Sequence, residues 1–188
     1  MDLELDLSAV TLETPRLVLR PWRQGDLADF YAYASVPGVG ECAGWPHHTS
    51  PETTQRILQM FIEEKNVFAI WHKKAGKVIG SFGIHPSWAN GHPQYAALRQ
   101  KEIGYVLSKE YWGEGLLTEA AQAVIGWLFD TVGLEAVTVG HFAENDRSRR
   151  VAEKCGFAYV EDGEYYAKQL NRSFVEKRYI LLAPQKNA

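Results

Sequence analysis

Cysteine is scarce in this chain, long apolar runs are missing, and neither charge sign dominates; each shortage excludes something. Cys42 and Cys155 are the only two cysteines. One potential pair is no secreted disulfide framework, and the two stand at no zinc spacing relative to the histidines. Cys155 falls at helical spacing from Val151, which fits a buried small hydrophobe. No uninterrupted apolar stretch approaches the ~18 residues of a membrane span. The opening Met1 to Val10 carries Asp2, Glu4 and Asp6 among its leucines and has no basic n-region, so the expected setting is a reducing cytoplasm. A net charge of −3 offers no general attraction to nucleic acid or to an anionic membrane. Any polyanion must therefore be held locally.

What is present is an ordinary folded composition. The 188 residues are 46% hydrophobic, 23% charged and 12% aromatic, which fits one domain over 1–188 with a somewhat aromatic interior or cleft. Arg16 to Arg20 alternates polar and apolar residues, a half-buried strand ended by Pro21. Leu27, Phe30 and Tyr31 recur at helical spacing. Ala34 to Thr49 is rich in Gly and Pro with Trp45, His47 and His48, the composition of a binding loop. Ser50-Pro51-Glu52 reads as a helix start with Ser50 as N-cap. Val67 to Trp71 and Val78 to Ile84 read as a hairpin about Lys73 to Lys77, and His85 to Lys101 as a loop. Glu135 to Val139 reads as a strand, and Asn145 as the cap of a short helix to Cys155 with Gly156 at C′. Phe157 to Val160 and Phe174 to Leu182 are the last two strand candidates.

The middle of the chain, Glu102 to Asp130, joins an apolar strand (Ile103 to Leu107), a turn with two glycines (Gly113-Glu114-Gly115) and an apolar-faced helix from Leu116. Such a turn leaves backbone N–H groups unpaired at the positive end of a helix dipole, where a phosphate can sit. Leu116, Leu117 and Thr118 follow where a triphosphate loop needs Lys and a hydroxyl, and Thr118 stands where a dinucleotide motif needs its third glycine. A pyrophosphate held by backbone donors and an ordinary strand-to-helix connection both remain open on the glycines alone.

Taken together, Glu102 to Leu107, Tyr111 to Gly115, Thr118-Glu119-Ala120, Asn145 to Ser148 and Glu153 to Phe157 resemble the GNAT superfamily of acyl-CoA-dependent N-acetyltransferases. Within it, Glu13 to Arg20 is similar to the opening of the ribosomal-protein N-terminal acetyltransferase branch, the RimJ/RimL type. The resemblance spans roughly 12–182 and implies an α/β (α+β) GNAT fold. That is a mixed, mostly antiparallel sheet of about seven strands flanked by about four helices, in agreement with the element order above. It implies acetyl-CoA as the acetyl donor, no metal, and an amine acceptor, a protein N-terminus or a small molecule.

The resemblance also assigns residues. Coenzyme A pyrophosphate falls to the amides of Trp112, Gly113, Glu114, Gly115, Leu116, Leu117 and Thr118. The pantetheine arm falls to the backbone of Tyr105, Val106 and Leu107 and to Asn145, with Val106 or Leu107 N–H polarising the thioester carbonyl. Where the superfamily at large has Arg or Gln, this chain has Glu110, which would either face away from the phosphates or be a mild liability.

Acetyl transfer needs a free amine nucleophile and a proton for the leaving thiolate. Glu102, at the head of the central strand, is the expected general base; the alternative is a solvated strand-end glutamate. Many family members carry a tyrosine where this chain has Ala152, so Ser148, one helical turn earlier, is the expected partner of the leaving sulfur, with a purely capping serine as the alternative. Trp45, His85 and Trp88 are expected to line the acceptor cleft, against ordinary packing, and the adjacent His47 and His48 to sit in solvent. A small-molecule amine acceptor and a non-catalytic acyl-CoA-binding module stand as competing functions, and monomer and homodimer are both open.

Overall fold

The computed structural model describes residues 3–185; the remaining residues of the 1–188 single-domain reading lie outside it. Among the described residues eight strands form one sheet in the order β1-β2-β3-β4-β5-β6-β8-β7. In chain order these are β1 (Leu12–Glu13), β2 (Leu17–Pro21), β3 (Val67–His72), β4 (Lys77–His85), β5 (Gln100–Leu107), β6 (Ala136–Phe142), β7 (Ala158–Ala167) and β8 (Arg172–Leu182). The four helices are α1 (Leu27–Ala34), α2 (Pro51–Glu64), α3 (Leu116–Trp127) and α4 (Asp146–Lys154). The expected GNAT architecture is what is observed. The additions are the two-residue β1, too short to carry a period, and a β7 of ten residues where apolar patterning marks only four. Among the described residues no helix is long and apolar enough to cross a membrane.

Alternation sorts the central strands onto two cores. Phe68 and Ile70 of β3 join Ile103, Leu107, Leu116, Val124 and Leu128 under α3 and α4. Val67 and Ala69 turn the other way, to Trp22, Phe30, Tyr33 and Leu58 under α1 and α2. Local chemistry fixes the helices. Ser50 Oγ accepts from Thr53 N–H at 3.3 Å ahead of Pro51, and Asn145 Oδ1 accepts from Ser148 N–H at 3.2 Å ahead of α4. α1 is tied to β2 by the buried pair Arg20–Asp26, bonded twice at 2.8 and 2.9 Å.

Among the described residues every strand pairing is antiparallel except one. β5 and β6, joined through α3, run parallel and are paired only from Gln100↔Ala136 to Ile103↔Val139. β5 continues to Leu107 against β4, while β6 continues to Phe142 against β8. Beyond Ile103 the sheet is therefore split between its two central strands.

Candidate active site

The split opens into a cleft of about 720 Å³ that reaches both faces of the sheet. Its walls come from β5, the turn before α3, the head of α4, and, on the other face, the loop between α1 and α2.

Antiparallel pairing with β4 determines which backbone groups of β5 are free. Ser108 N–H donates to Ile79 O at 2.8 Å, so the alternate residues Val106 and Gly104 also direct their peptide groups at β4. Tyr105 and Leu107 direct theirs into the split. The Leu107 carbonyl is taken by Trp112 Nε1 at 2.8 Å. What faces the split is thus the N–H and C=O of Tyr105 and the N–H of Leu107. This corrects one expectation, because Val106 offers no free backbone group and contributes its side chain to the wall under α1 and α2.

At the turn, Gly113 and Gly115 have φ of +84° and +77°, the left-handed region that glycine enters without strain. A Cβ on Gly113 would meet nothing within 4 Å. Backbone conformation, and a surface left open to a ligand, are what these glycines provide. Gly113, Gly115, Leu116, Leu117 and Thr118 line the cleft with Trp112. Glu114 does not; its side chain is exposed and its carbonyl accepts from Arg16 Nη1 at 3.0 Å. Arg16 is anchored in turn on Glu119 of α3, through Nε at 2.7 Å and its own N–H at 3.0 Å, while Thr14 Oγ1 donates to the same carboxylate at 2.6 Å. The opening motif, a hundred residues away in sequence, is the brace of this turn. Of the two alternatives for Glu110 the structure has the first: it does not line the cleft and pairs with Lys77 at 3.6 Å. Cationic groups line this half: Arg147, stacked 3.9 Å from the Trp112 ring centroid, with Arg150 and Lys154.

Glu102 lies in the same cleft, on the α1/α2 face. Its Oε2 accepts from Trp88 N–H at 3.0 Å. Burial pushes the carboxyl up to about 7; the bond from Trp88 and the Arg178 charge oppose the rise, and Glu176 adds to it. His85, its register partner on β4, folds its ring back over Gly83 and Gly104. A side chain on Gly83 would collide with that ring. Burial lowers the imidazole below its ordinary value, Glu64 opposing and Lys101 assisting.

Ser148 carries a partner that spacing along α4 did not reveal. Tyr105 OH and Ser148 Oγ are 3.0 Å apart. Burial lifts the phenol above its usual range, so it stays protonated at neutral pH. Ala152 itself is core, 1% exposed. Along β5 Tyr105 falls on the α3/α4 face, and the folded register brings its hydroxyl to Ser148.

Of the acceptor residues, Trp45 and His85 line the cleft. Trp88 does not: its indole packs against Arg178 and His92, and only its backbone N–H reaches Glu102. His47 binds Glu41 at 2.8 Å, and that carboxylate also accepts from Gly38 and His47 N–H, which shapes the loop. His48 departs from the solvent expectation. It is buried against Trp45, bonded to Thr54 Oγ1 at 2.8 Å, and lines the cleft.

A split central strand pair, an open glycine turn at a helix start and a half-buried carboxylate in one cleft now stand beside the sequence comparison. Residues 16–158 match the family model for the acetyltransferase (GNAT) domain. The chain belongs to this GNAT family. As a GNAT enzyme it is an N-acetyltransferase that uses acetyl-CoA and an amine acceptor. Over 179 residues it is 27% identical to the uncharacterized N-acetyltransferase YoaA of Bacillus subtilis, across 93% of this chain and 97% of that protein. Among solved structures, a GNAT-family acetyltransferase from Bacillus anthracis superposes with a TM-score of 0.79 at 21% identity, covering 92% of this chain and 98% of that one. The ribosomal-protein-S5-alanine acetyltransferase of Vibrio fischeri gives 0.69 at 19% identity, covering 95% and 100%. At these identities the structures speak for the fold.

Proposed function

We propose that this GNAT enzyme acetylates a primary amine with Glu102 as general base and Ser148, backed by Tyr105, at the leaving sulfur. The observation that carries the reading is the position of Glu102, a half-buried carboxylate that lines the cleft from the paired part of β5 just before the split and is held at about 7 by desolvation. Acetyl-CoA, when bound, supplies an activated thioester carbonyl. Glu102, poised at about 7, takes the proton of the incoming ammonium at Oε1 or Oε2 without itself being a strong acid or an inert base. The Leu107 N–H, preorganised on a paired strand, is the donor placed to polarise a carbonyl lying in the split. Ser148 Oγ–H donates a hydrogen bond to the leaving sulfur and is oriented by Tyr105 OH at 3.0 Å; the released thiolate takes its proton from solvent as Glu102 gives up the one it accepted, and neither hydroxyl ionises.

The residues fit the donor. Tyr105 offers peptide groups to an amide-bearing arm, the open Gly113 to Thr118 turn offers N–H groups to a pyrophosphate, and Arg147, Arg150 and Lys154 offer countercharge. Asn145 caps α4 beside them, its Nδ2 3.5 Å from Cys42 O, and it lines the same wall.

The acceptor we infer is a protein N-terminal amine, as in the RimJ/RimL branch. The opening motif at Glu13 to Arg20 supports this, as does the fold shared with an enzyme named for ribosomal protein S5 alanine. A small-molecule amine is favoured by a different observation, the apolar aromatic walls of the acceptor half, Phe30, Trp45, Phe61 and Phe142. The deciding experiment incubates the enzyme and acetyl-CoA with peptides bearing N-terminal Ser and Ala, and separately with polyamines and arylalkylamines. Thiol release and product mass are the readouts. Peptide products with no small-amine products are expected. Products from small amines alone would overturn the N-terminal reading.

A further inference from the structure

The charges lining the cleft are sorted by face. Arg147, Arg150 and Lys154 stand on the α4 side; on the α1/α2 side the charged lining groups are Glu102 and Glu176, and among the described residues no Lys or Arg lines that half. Glu176 is 8% exposed and lies over Gly140, where a Cβ would come 2.6 Å from its Oε1. Its Oε2 accepts from Arg178 Nε at 2.9 Å. The guanidinium continues to Glu161 Oε1 at 3.3 Å and stacks 5.5 Å from the centroid of Trp88. Gly163 makes room for it, since a side chain there would collide with the guanidinium. The cation next to the acceptor half is therefore turned to protein carboxylates on two sides and is not offered to a ligand.

We propose that the acceptor half selects an amine with an apolar body and no carboxylate beside the amino group, and that Glu176 is the residue that excludes the carboxylate. This rests on the amine-acetylating reading above for the place where the amine sits. An ammonium is drawn to Glu102 and Glu176 together. A carboxylate one carbon from that ammonium must lie close to the same two acids, with no Lys or Arg among the groups lining that half to neutralise it, in a site walled by Trp45, Phe61, Phe142 and Tyr165. An amide, an ester or a bare alkyl carbon at that position meets no such repulsion. Peptide N-termini and arylalkylamines qualify on this ground, and free amino acids do not. Specificity is built here by an unfavourable contact for the wrong ligand as much as by favourable ones for the right one.

The test separates binding from turnover. The CoA-loaded protein is titrated by calorimetry with phenylalaninamide, phenethylamine and phenylalanine. The amide and the amine are expected to bind at least about ten-fold tighter than the free acid. In Glu176→Gln the preference should shrink to within about three-fold, because the acid is lost and Arg178 is released toward the ligand. Glu176→Asp should retain it, and melting curves check that both variants fold. Equal binding of acid and amide by the wild type, no binding of either uncharged-neighbour ligand, or an undiminished preference in a folded Glu176→Gln each overturns the proposal. No acetyl group moves in this titration. A binding preference without acetylated product in the transfer assay would instead count against the proposed reaction.

Discussion

In the proposed reaction Glu102 turns burial into basicity. A carboxylate at its ordinary value would be too weak a base for an ammonium, and one paired to a cation weaker still. Burial holds this one at about 7, with Glu176 adding its repulsion and Arg178 restraining it. Only the ionised form accepts a proton, so the rate must rise with pH through about 7 and level off above it. Glu102→Gln is expected to lower kcat/KM by roughly 10² to 10⁴ and to remove that inflection, leaving only the titration of the acceptor amine itself. A pH–rate profile of both proteins by thiol release checks this; an unchanged inflection would remove Glu102 from the role. At the other end of the reaction, Tyr105 and Ser148 share one hydrogen bond. Tyr105→Phe and Ser148→Ala are each expected to cost about ten-fold in kcat. The double variant should cost little more than the worse single, since groups acting as a unit do not add. Strictly multiplicative losses in the same assay would mean that the two side chains act separately.

Elements carry these residues to one place, and the brace between the opening segment and α3 shows how. Arg16 reaches Glu119 and the Glu114 carbonyl, tying the start of β2 to the turn that faces the proposed pyrophosphate position. Arg16→Ala is expected to raise KM for acetyl-CoA about ten-fold while leaving kcat within about two-fold, and to leave KM for acetyl-pantetheine, which lacks the pyrophosphate, unchanged. Steady-state kinetics with both donors decide the matter, since a general loss of stability would affect the two alike. The strand, turn and helix from Glu102 onward, and the caps at Ser50 and Asn145, were legible in the sequence because each rests on local chemistry within a few residues. The Arg16–Glu119 brace, the Tyr105–Ser148 contact and the inward turn of His48 were not. Each joins residues distant in the chain through sheet register, about which periodicity is silent. Val106 and Trp88 were misjudged for a related reason. Which backbone groups of β5 face the split depends on its pairing with β4, and the Trp88 ring follows Arg178 on β8 rather than the loop it stands in.

At the scale of the whole molecule, a net charge of −3 hides a division of sign across one cleft. The α4 side presents Arg147, Arg150 and Lys154, and the opposite side presents Glu102 and Glu176. In the proposed reaction a polyanionic donor and a cationic acceptor would thereby be directed to opposite sides of the same cleft. The field at the proposed donor end arises from exposed side chains, so salt should screen it; the Debye length falls from about 10 Å at 0.1 M ionic strength to roughly 3 Å at 1 M. KM for acetyl-CoA is expected to rise several-fold between ~0.05 and ~0.5 M potassium chloride, and KM for acetyl-pantetheine to move little. Arg150→Ala combined with Lys154→Ala should flatten the acetyl-CoA dependence and raise its low-salt value toward the high-salt one. A salt response of equal size for both donors would place the screened charges elsewhere, at the acceptor or in the stability of the fold, and the donor end would then owe its selectivity to the backbone of the Gly113 to Thr118 turn alone.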